Sequence, residues 1–158
     1  MKYAIKNGMR CLSCDSLSGK TPILMGSRIY DGNYWVIEHA YPVRLKGWLV
    51  IVLKRHAEAL HELTKEEFEE LAALQEKVTK TLFAVLGVEK EYSLCLAEGN
   101  YFHHIHFHQI GIPKNLPDKY KGPKVFGLMH EKPIAEKEII AFCRKLQKII
   151  AENIVSNK

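Results

Sequence analysis

At 158 residues and 47% hydrophobic content, the chain is long enough for one domain with a real core and too short for two ordinary ones. Its formal charge of +5 suits an anionic ligand, but the lysines are spread along the chain, so a small phosphate-bearing molecule fits better than a long nucleic acid. The longest apolar run, residues 48–53, is far too short to span a membrane, and we expect a cytoplasmic protein without a membrane partner.

The N-terminal residues 1–27 carry two close cysteines and little hydrophobic periodicity, which predicts a loop-rich arm. Cys11 and Cys14 form a Cys-x-x-Cys pair. In a reducing cytosol such a pair is more often a metal half-site or a redox pair than a structural disulfide. The arm should therefore be ordered if something binds both thiols.

Three short strands are expected next. Residues 28–31 and 34–38 read as strands on either side of a tight turn, and both contain aromatic and β-branched residues. Residues 48–53 are apolar on both faces, which is typical of a central strand covered on each side.

The strongest helix signal follows the central strand. Thr64 and Glu67 have the spacing of a capping box, and apolar residues then repeat at helical spacing. Gly87 is a typical C-terminal stop, so this long helix should end there and lie across the sheet.

The second half of the chain predicts two more strands and a final helix. The expected order of strands, helix, strands and helix indicates an α+β fold with an antiparallel sheet. We expect one domain over residues 1–158, built in its second half from a strand at 91–97, a turn at 98–100, a strand at 103–110, an irregular segment at 111–133 and a helix at 135–155.

Histidines are concentrated in the last of these strands, because four of the eight occur within residues 103–108. His104, His106 and His108 alternate with apolar residues, so on a strand their rings would line one face roughly 6.7 Å apart. Histidine can serve as a metal ligand, a proton shuttle or a nucleophile near neutral pH. The alternative is a solvated polar strand face with a chance run of histidines.

The run from His104 to Ile110 resembles the signature of the histidine-triad (HIT) superfamily of nucleotide hydrolases and transferases. Gln109 departs from that pattern, but it points away from the histidines and should alter packing more than chemistry. The segment 47–56, the cysteine pair, the turn at Asn100 and the segment 121–126 also look similar to this family, the last to its bacterial members. The resemblance implies a HIT-like fold: a sheet of about five strands, one long helix and a C-terminal helix.

The resemblance also implies a reaction. His106 would attack the α-phosphorus of a nucleotide conjugate, and water would then open the nucleotidyl-histidine. Dinucleoside polyphosphates and nucleoside phosphoramidates are the implied substrates. His108, as a protonated ring, would bind a phosphoryl oxygen or assist the leaving group. Asn100 would contact phosphate, although its position in a turn is an equally good local explanation.

Alternatives to hydrolysis remain open at this point. The same intermediate would serve a nucleotidyltransferase or phosphorylase, and a zinc-stabilised protein that binds nucleotides without turnover would keep the same residues. The ribose-binding region of the family reads Glu38-His-Ala-Tyr41 here and cannot be assigned to one residue. The histidine that often precedes the central strand is replaced by Trp48, so its role is lost or reassigned.

A structural zinc site is implied by the nucleotidyltransferase branch of the superfamily, which includes galactose-1-phosphate uridylyltransferase. Its ligands would be Cys11, Cys14, His56 and His104, closing a tetrahedron with no open position. A redox pair or an empty, degenerate site are the competing interpretations. Many family members form homodimers through the long helix and the sheet edge, and the apolar helix faces here suit either a dimer or a monomer.

Overall fold

The computed structural model describes residues 10–155, with side chains to residue 151. Its three α-helices are α1 (Leu12–Leu17), α2 (Lys65–Leu86) and α3 (Glu136–Val155). Its five strands are β1 (Arg28–Asp31), β2 (Trp35–His39), β3 (Trp48–Leu53), β4 (Lys90–Leu94) and β5 (His106–Ile112). Three short 3₁₀ helices lie at Leu60–Glu62, Asp118–Tyr120 and Gly122–Met129.

All five strands form one antiparallel sheet in the order β1-β2-β3-β5-β4. The α+β prediction is confirmed, and β3 is the central strand that its apolar sequence indicated. In the β3–β5 ladder Val50 lies opposite His108, and Val52 lies opposite His106. This register sets both histidines beside the central strand, and His108 is also paired with Leu94 of β4 on its other side.

The two faces of the sheet are covered differently. On one face, buried residues of β2 and β3 pack against α2 and α3 to form the main core. On the other face, Trp48 and Ile110 form a second cluster with Val125 and Leu128 of the last 3₁₀ helix. His106 and His108 alternate with the core residues of β5, so they belong to this second face.

The boundaries of α2 are those that the sequence predicted. The Glu67 amide donates to the Thr64 hydroxyl at 3.3 Å, and the Thr64 amide donates to the Glu67 carboxylate at 2.8 Å. Gly87 follows with a φ of 60° and donates its amide to the Phe83 carbonyl at 2.8 Å. A left-handed residue of this kind is most easily supplied by glycine, which explains the stop.

The histidine strand begins later than predicted. It was expected over 103–110, but β5 starts at His106, so the first histidine of the triad precedes the ladder. The Ile105 amide donates to the Ala57 carbonyl at 2.8 Å, and the His104 amide donates to the Phe102 carbonyl at 2.8 Å. The first bond ties the chain to the segment after β3, and the second closes a local turn. β4 ends at Leu94 instead of 97.

Two segments predicted to be irregular contain regular structure. The arm at 1–27, whose first nine residues lie outside the described part, includes the short helix α1. The segment at 111–133 begins with the end of β5 and holds two of the 3₁₀ helices. The C-terminal helix agrees with its expected range, and the single-domain organisation of residues 1–158 stays a prediction.

Within residues 10–155, no helix combines the length and the apolar content that crossing a membrane requires.

The carboxylate of Glu67 joins the start of α2 to the end of β3, and its loss should be measurable. Glu67 is buried, and Arg55 donates to its two oxygens at 2.6 and 2.8 Å. This bond from Arg55 lowers the pKa of Glu67, against the opposing effect of burial. Because the arginine is partly exposed, we expect Glu67→Gln to reduce the free energy of unfolding by only about 1–2 kcal/mol near neutral pH.

The pH dependence of that loss follows from the lowered pKa. The ion pair stabilises the folded state fully above the ordinary glutamate pKa of about 4.5, and its contribution disappears as the pH falls through the lower folded-state value. Urea unfolding of both proteins should therefore show curves that converge in acid. Glu69→Gln, at an exposed carboxylate paired with Lys65, should change little. A difference between Glu67→Gln and the native chain that persists in acid would contradict the role of the ion pair.

Candidate active site and metal centre

A cavity of about 250 Å³ opens on the second face of the sheet, and His106 and His108 both line it. Its wall is formed by four parts of the chain: the N-terminal arm, the sheet, the loop before β5 and the last 3₁₀ helix. Most of the surrounding side chains are apolar, and the wall includes Ile23, Tyr41, Val50, Val52, Leu96, Ala97, Phe102, Phe126 and Met129. Such a mostly apolar site with a few polar groups is typical of a small-molecule pocket.

His106 presents a nucleophilic nitrogen to this cavity. Its Nδ1–H donates to the backbone carbonyl of His104 at 2.7 Å. Since a carbonyl can only accept, Nδ1 must carry the proton, and the lone pair of the neutral ring lies on Nε2. Burial lowers the pKa of His106, although the bond to His104 works against this. The ring is therefore neutral near pH 7, and Nε2 can attack an electrophile without losing a proton.

His108 carries its proton on the other nitrogen. The indole Nε1–H of Trp48 donates to His108 Nδ1 at 3.0 Å, so Nε2 bears the hydrogen. The rings of His106 and His108 lie 5.0 Å apart. Burial, and then the neighbouring His106, lower the pKa of His108 to about 3. The protonated ring that the sequence suggested is thus disfavoured here, and His108 is a neutral donor.

The first histidine of the triad faces a separate cluster. Cys11, Cys14, His56 and His104 each direct one ligand atom into a common space, with all four atoms within 4.8 Å of one another. The Cys14 sulfur lies 3.4 Å from Nδ1 of both histidines, and the Cys11 sulfur lies 3.5 Å from Nδ1 of His104. The structure therefore brings together the four residues that the sequence singled out as metal ligands.

The geometry of this cluster fits a tetrahedral metal ion. Zinc bonds of about 2.3 Å to sulfur and 2.0 Å to nitrogen would separate the two ligand atoms by about 3.5 Å, close to the distances found. Both histidines use Nε2 elsewhere: His104 donates to the Leu53 carbonyl at 2.6 Å and His56 to the Glu58 carboxylate at 3.2 Å. Such outer bonds orient ligand rings and leave Nδ1 free to bind the metal.

The pKa values of the cluster residues show which protons a bound metal ion would displace. Burial, followed by the bond to Cys11, raises the pKa of Cys14 to about 12. Burial lowers the pKa of His104 to about 4, helped by the neighbouring His56. Metal binding would therefore displace a thiol proton but none from the histidine ring, which is already in its ligating form.

The other candidates from the sequence have less specific positions. Asn100 is exposed in the loop before β5 and does not line the cavity, although its neighbour Gly99 does. Its contact with phosphate stays a prediction. Gln109 is buried and donates to the Ser93 hydroxyl at 2.7 Å, on the helix-covered face. That packing role agrees with the interpretation of Gln109 from the sequence.

Sequence reasoning left Glu38 unassigned within the candidate ribose region at residues 38–41, and it did not place Phe126 or Met129 in the cavity. Glu38 is buried beside the cavity and accepts bonds from Arg28 at 3.0 and 3.1 Å, both to the same oxygen. An acid among apolar residues of β2 was a usable signal for it. Phe126 and Met129 arrive through the 3₁₀ helix, more than a dozen residues beyond the triad, and no local pattern reveals that contact.

Three clefts elsewhere are larger: two of about 710 and 670 Å³, and one of about 370 Å³ between α2 and α3. The first lies beside α2 and the turn after β1, and the second lies near Lys54 and Arg55. Their charged groups largely pair with one another: Lys80 contacts Glu76, Lys54 contacts Asp31, and Arg55 binds the carboxylate of α2. None of the three clefts is lined by a triad histidine, so the smaller cavity is the better candidate for chemistry.

Comparison with known proteins agrees with this geometry. The fold and the paired imidazoles define a histidine-triad protein, a class whose members bind and process nucleotides. More particularly, residues 10–121 match the family described as "Scavenger mRNA decapping enzyme C-term binding", which is more than half of the chain. The chain therefore belongs to this family of the histidine-triad superfamily. No curated protein sequence matches it.

Solved structures share the fold. A histidine-triad nucleotide-binding protein from Sulfolobus tokodaii is 23% identical, with a TM-score of 0.66 and coverage of 91% of this chain and 93% of that one. A zinc-bound histidine-triad protein from Mycobacterium smegmatis is 18% identical, with a TM-score of 0.66 and coverage of 92% and 96%. A diadenosine triphosphate hydrolase from Plasmodium falciparum is 12% identical, with a TM-score of 0.63 and coverage of 81% and 78%.

Proposed function

We propose that this protein is a nucleotide phosphohydrolase that acts on dinucleoside polyphosphates or nucleoside phosphoramidates through a nucleotidyl-histidine at His106. The observation that carries the proposal is the orientation of His106. Its Nδ1–H is engaged by a backbone carbonyl at 2.7 Å, and its Nε2 lone pair belongs to a ring that lines the cavity. Membership of the histidine-triad superfamily supports the same chemistry, and so does the fold shared with a diadenosine triphosphate hydrolase.

In the first step, His106 Nε2 attacks the α-phosphorus and the bond to the leaving group breaks. Phosphorylation makes the ring cationic, and the His104 carbonyl stabilises it by accepting the Nδ1–H bond. In the second step, water attacks the same phosphorus and releases the nucleoside monophosphate. His108, 5.0 Å away between ring centres, donates Nε2–H to a phosphoryl oxygen in both steps. Asn100 remains a candidate contact for the outer phosphates.

The remaining cavity groups suit a nucleoside. Both bonds from Arg28 go to one oxygen of Glu38, so the other oxygen has capacity to accept from ribose hydroxyls. We therefore assign the ribose contact to Glu38 rather than to its neighbour His39. The His39 ring already donates to the Ala40 carbonyl and accepts from the Gly47 amide. The apolar walls would enclose the base.

We also propose that the cluster of two cysteines and two histidines holds a structural zinc ion. The tetrahedral fit of Cys11, Cys14, His56 and His104 supports zinc, and a zinc-bound protein shares the fold. A bound ion would supply order, since all four positions are occupied by protein ligands. The described thiols are free, which is compatible with a reducing compartment and with the expected cytoplasmic location.

The enzymatic proposal is tested by His106→Asn. We expect native protein to release nucleoside monophosphate from diadenosine triphosphate or from an adenosine phosphoramidate, and rapid-quench mass spectrometry to find an acid-labile adenylyl group on His106. His106→Asn should lose at least about 1,000-fold in rate, because no nucleophile remains. His61→Asn, at an exposed histidine, should retain full activity.

The same assay separates the alternatives. New products on adding phosphate or a sugar phosphate would assign a transferase or phosphorylase that uses the same intermediate. Calorimetric nucleotide binding without any adenylated protein would assign a non-catalytic binding protein. If native protein and His106→Asn give identical traces with every substrate, the enzymatic proposal is wrong.

The zinc proposal is tested by elemental analysis of purified protein. We expect about one zinc per chain, and we expect Cys14→Ser to lower both zinc content and melting temperature because one buried ligand is removed. Cys143→Ser is the matched control, since that buried thiol lies in the helix-covered core away from the cluster. It should keep its zinc even if it melts earlier. A native chain with reduced thiols that binds no zinc would contradict the proposal.

A second copy of the chain is the proposed protein partner. Phe68 and Phe83 of α2 are 44% and 63% exposed and lie about four turns apart, on the same side of the helix. β4 is an edge strand of the sheet, so its outer backbone groups are available to pair with a second copy. Buried aromatic residues often contribute strongly to such interfaces.

Sedimentation should show a homodimer, and Phe83→Glu should convert it to monomer by burying a charge in the interface. Met25→Glu is the control, because Met25 is even more exposed, at 78%, but lies in the arm. A native chain that sediments as a monomer at micromolar concentration would contradict the dimer.

A further inference from the structure

Trp48 donates a hydrogen bond to His108, and nothing in the sequence around Trp48 predicts this contact. It is fully buried at the start of β3, and its indole Nε1–H donates to His108 Nδ1 at 3.0 Å. The two rings meet edge-on, with centres 5.8 Å apart at 81°. An indole nitrogen can donate but cannot accept, so this bond permits only one neutral form of His108, with its hydrogen on Nε2.

A second aromatic ring, that of Phe126, also packs against His108. Phe126 lies 5.3 Å from the His108 ring and 5.4 Å from the Trp48 ring, both edge-on. Across the β3–β5 and β4–β5 ladders, His108 faces Val50 and Leu94. Among these described neighbours, only His106 on the same strand is ionisable, and its Nδ1–H is bound to the His104 carbonyl. None of these described neighbours carries a negative charge that would stabilise an imidazolium at His108.

We propose that Trp48 is a positioning residue that holds His108 as a neutral hydrogen-bond donor and thereby prevents it from protonating the leaving group. This inference rests on the proposed function. If Nε2–H left the neutral ring, an imidazolate would remain, and Trp48 has no proton that it could pass to Nδ1 in exchange. His108 can therefore stabilise charge on oxygen, but it cannot act as a general acid.

Other proton-bearing groups in the cavity wall do not fill that role. The His39 Nδ1–H is bound to the Ala40 carbonyl, and Glu38 is a carboxylate paired with Arg28. Burial, and then the Glu136 carboxylate, raise the pKa of Tyr41 and make it a weaker acid. The described cavity residues thus offer no acid of suitable strength for a basic leaving group.

The consequence concerns the class of substrate. In the first step the His106 Nε2–P bond forms, the bond from phosphorus to the leaving atom breaks, and its electron pair departs with the leaving group. A phosphate or nucleoside diphosphate accepts that pair as a stable anion. An alkylamine does not, and it needs a proton first. The second step consumes water and releases one proton to solvent. Of the two substrate classes in the proposed function, the anhydrides should be favoured.

The tautomer is tested directly by nitrogen NMR of protein labelled in its histidine rings. We expect His108 to carry its hydrogen on Nε2 in native protein, and we expect Trp48→Phe to lose that preference because the donor is gone. Trp35→Phe is the matched control: Trp35 is equally buried, and its indole donates to the Glu67 carbonyl at 2.8 Å on the other sheet face. Trp35→Phe should leave the His108 signals unchanged. A native His108 with its hydrogen on Nδ1, or charged near pH 7, would overturn the inference.

The chemical consequence is tested by leaving-group release in a single turnover. The substrates are diadenosine triphosphate, aryl esters of adenosine monophosphate with phenols of graded acidity, and an adenosine phosphoramidate of an alkylamine. We expect rates to fall steeply as the leaving group becomes more basic, with the alkylamine at least about 100-fold below the anhydride. Trp48→His places a ring that can exchange protons beside His108. It should flatten this dependence and raise alkylamine release about 10-fold relative to anhydride cleavage.

Equal rates for the amine and the anhydride in native protein would overturn the inference while leaving the nucleotidyl-histidine intact. An unaltered dependence in Trp48→His with a native-like fold would also count against it. If the native protein cleaves none of these substrates, the proposed function is wrong, and so is the predicted preference for anhydrides. The NMR result would still decide the tautomer.

Discussion

The hydrogen bond from His106 Nδ1 to the backbone carbonyl of His104, 2.7 Å long, is the contact on which the candidate site depends. It fixes which nitrogen of the proposed nucleophile holds a lone pair. The acceptor belongs to a residue whose own ring lies in the metal cluster and donates to the Leu53 carbonyl. One residue therefore connects the metal cluster, the central strand and the proposed nucleophile, and a shift of His104 would disturb all three.

The remainder of the fold holds this arrangement in place. β3 lies between β2 and β5 at the centre of the sheet, and it carries both Leu53 and Trp48. The arm is tied across the site, since the Leu12 amide donates to the Tyr101 carbonyl at 2.8 Å. The arm and the loop before β5 both contribute walls to the cavity. Binding of a metal between the arm and His104 would thus order the substrate cavity as well as the N-terminal segment.

Local signals in the sequence predicted much of this structure correctly. Thr64, Glu67 and Gly87 defined the long helix because capping depends on neighbouring residues only. The uniformly apolar β3 was placed correctly because a strand buried on both faces has no alternation. The resemblance to the superfamily pointed to the four cluster residues. Sequence spacing alone would not have grouped them, because they are spread over more than ninety positions.

Contacts between distant segments were the part that the sequence could not specify. His104 has the alternation of a strand residue, but bonds from the neighbouring Ile105 to the segment after β3 take the chain out of the ladder. Trp48 reads as an ordinary core residue, and only the β3–β5 register brings its indole to His108. The same holds for Phe126, whose position depends on how the 3₁₀ helix packs on the sheet. These tertiary contacts decide protonation, and in the proposed mechanism protonation decides which histidine would attack and which one would donate.

The most direct test of this arrangement is a nitrogen NMR measurement of His106 in protein saturated with zinc. The structure requires the hydrogen of this ring on Nδ1 and the lone pair on Nε2, because the His104 carbonyl can only accept. A spectrum with that pattern would support the link between the metal cluster and the nucleophile. A His106 ring protonated on Nε2 instead would contradict it, since the nitrogen facing the cavity could not then attack phosphorus.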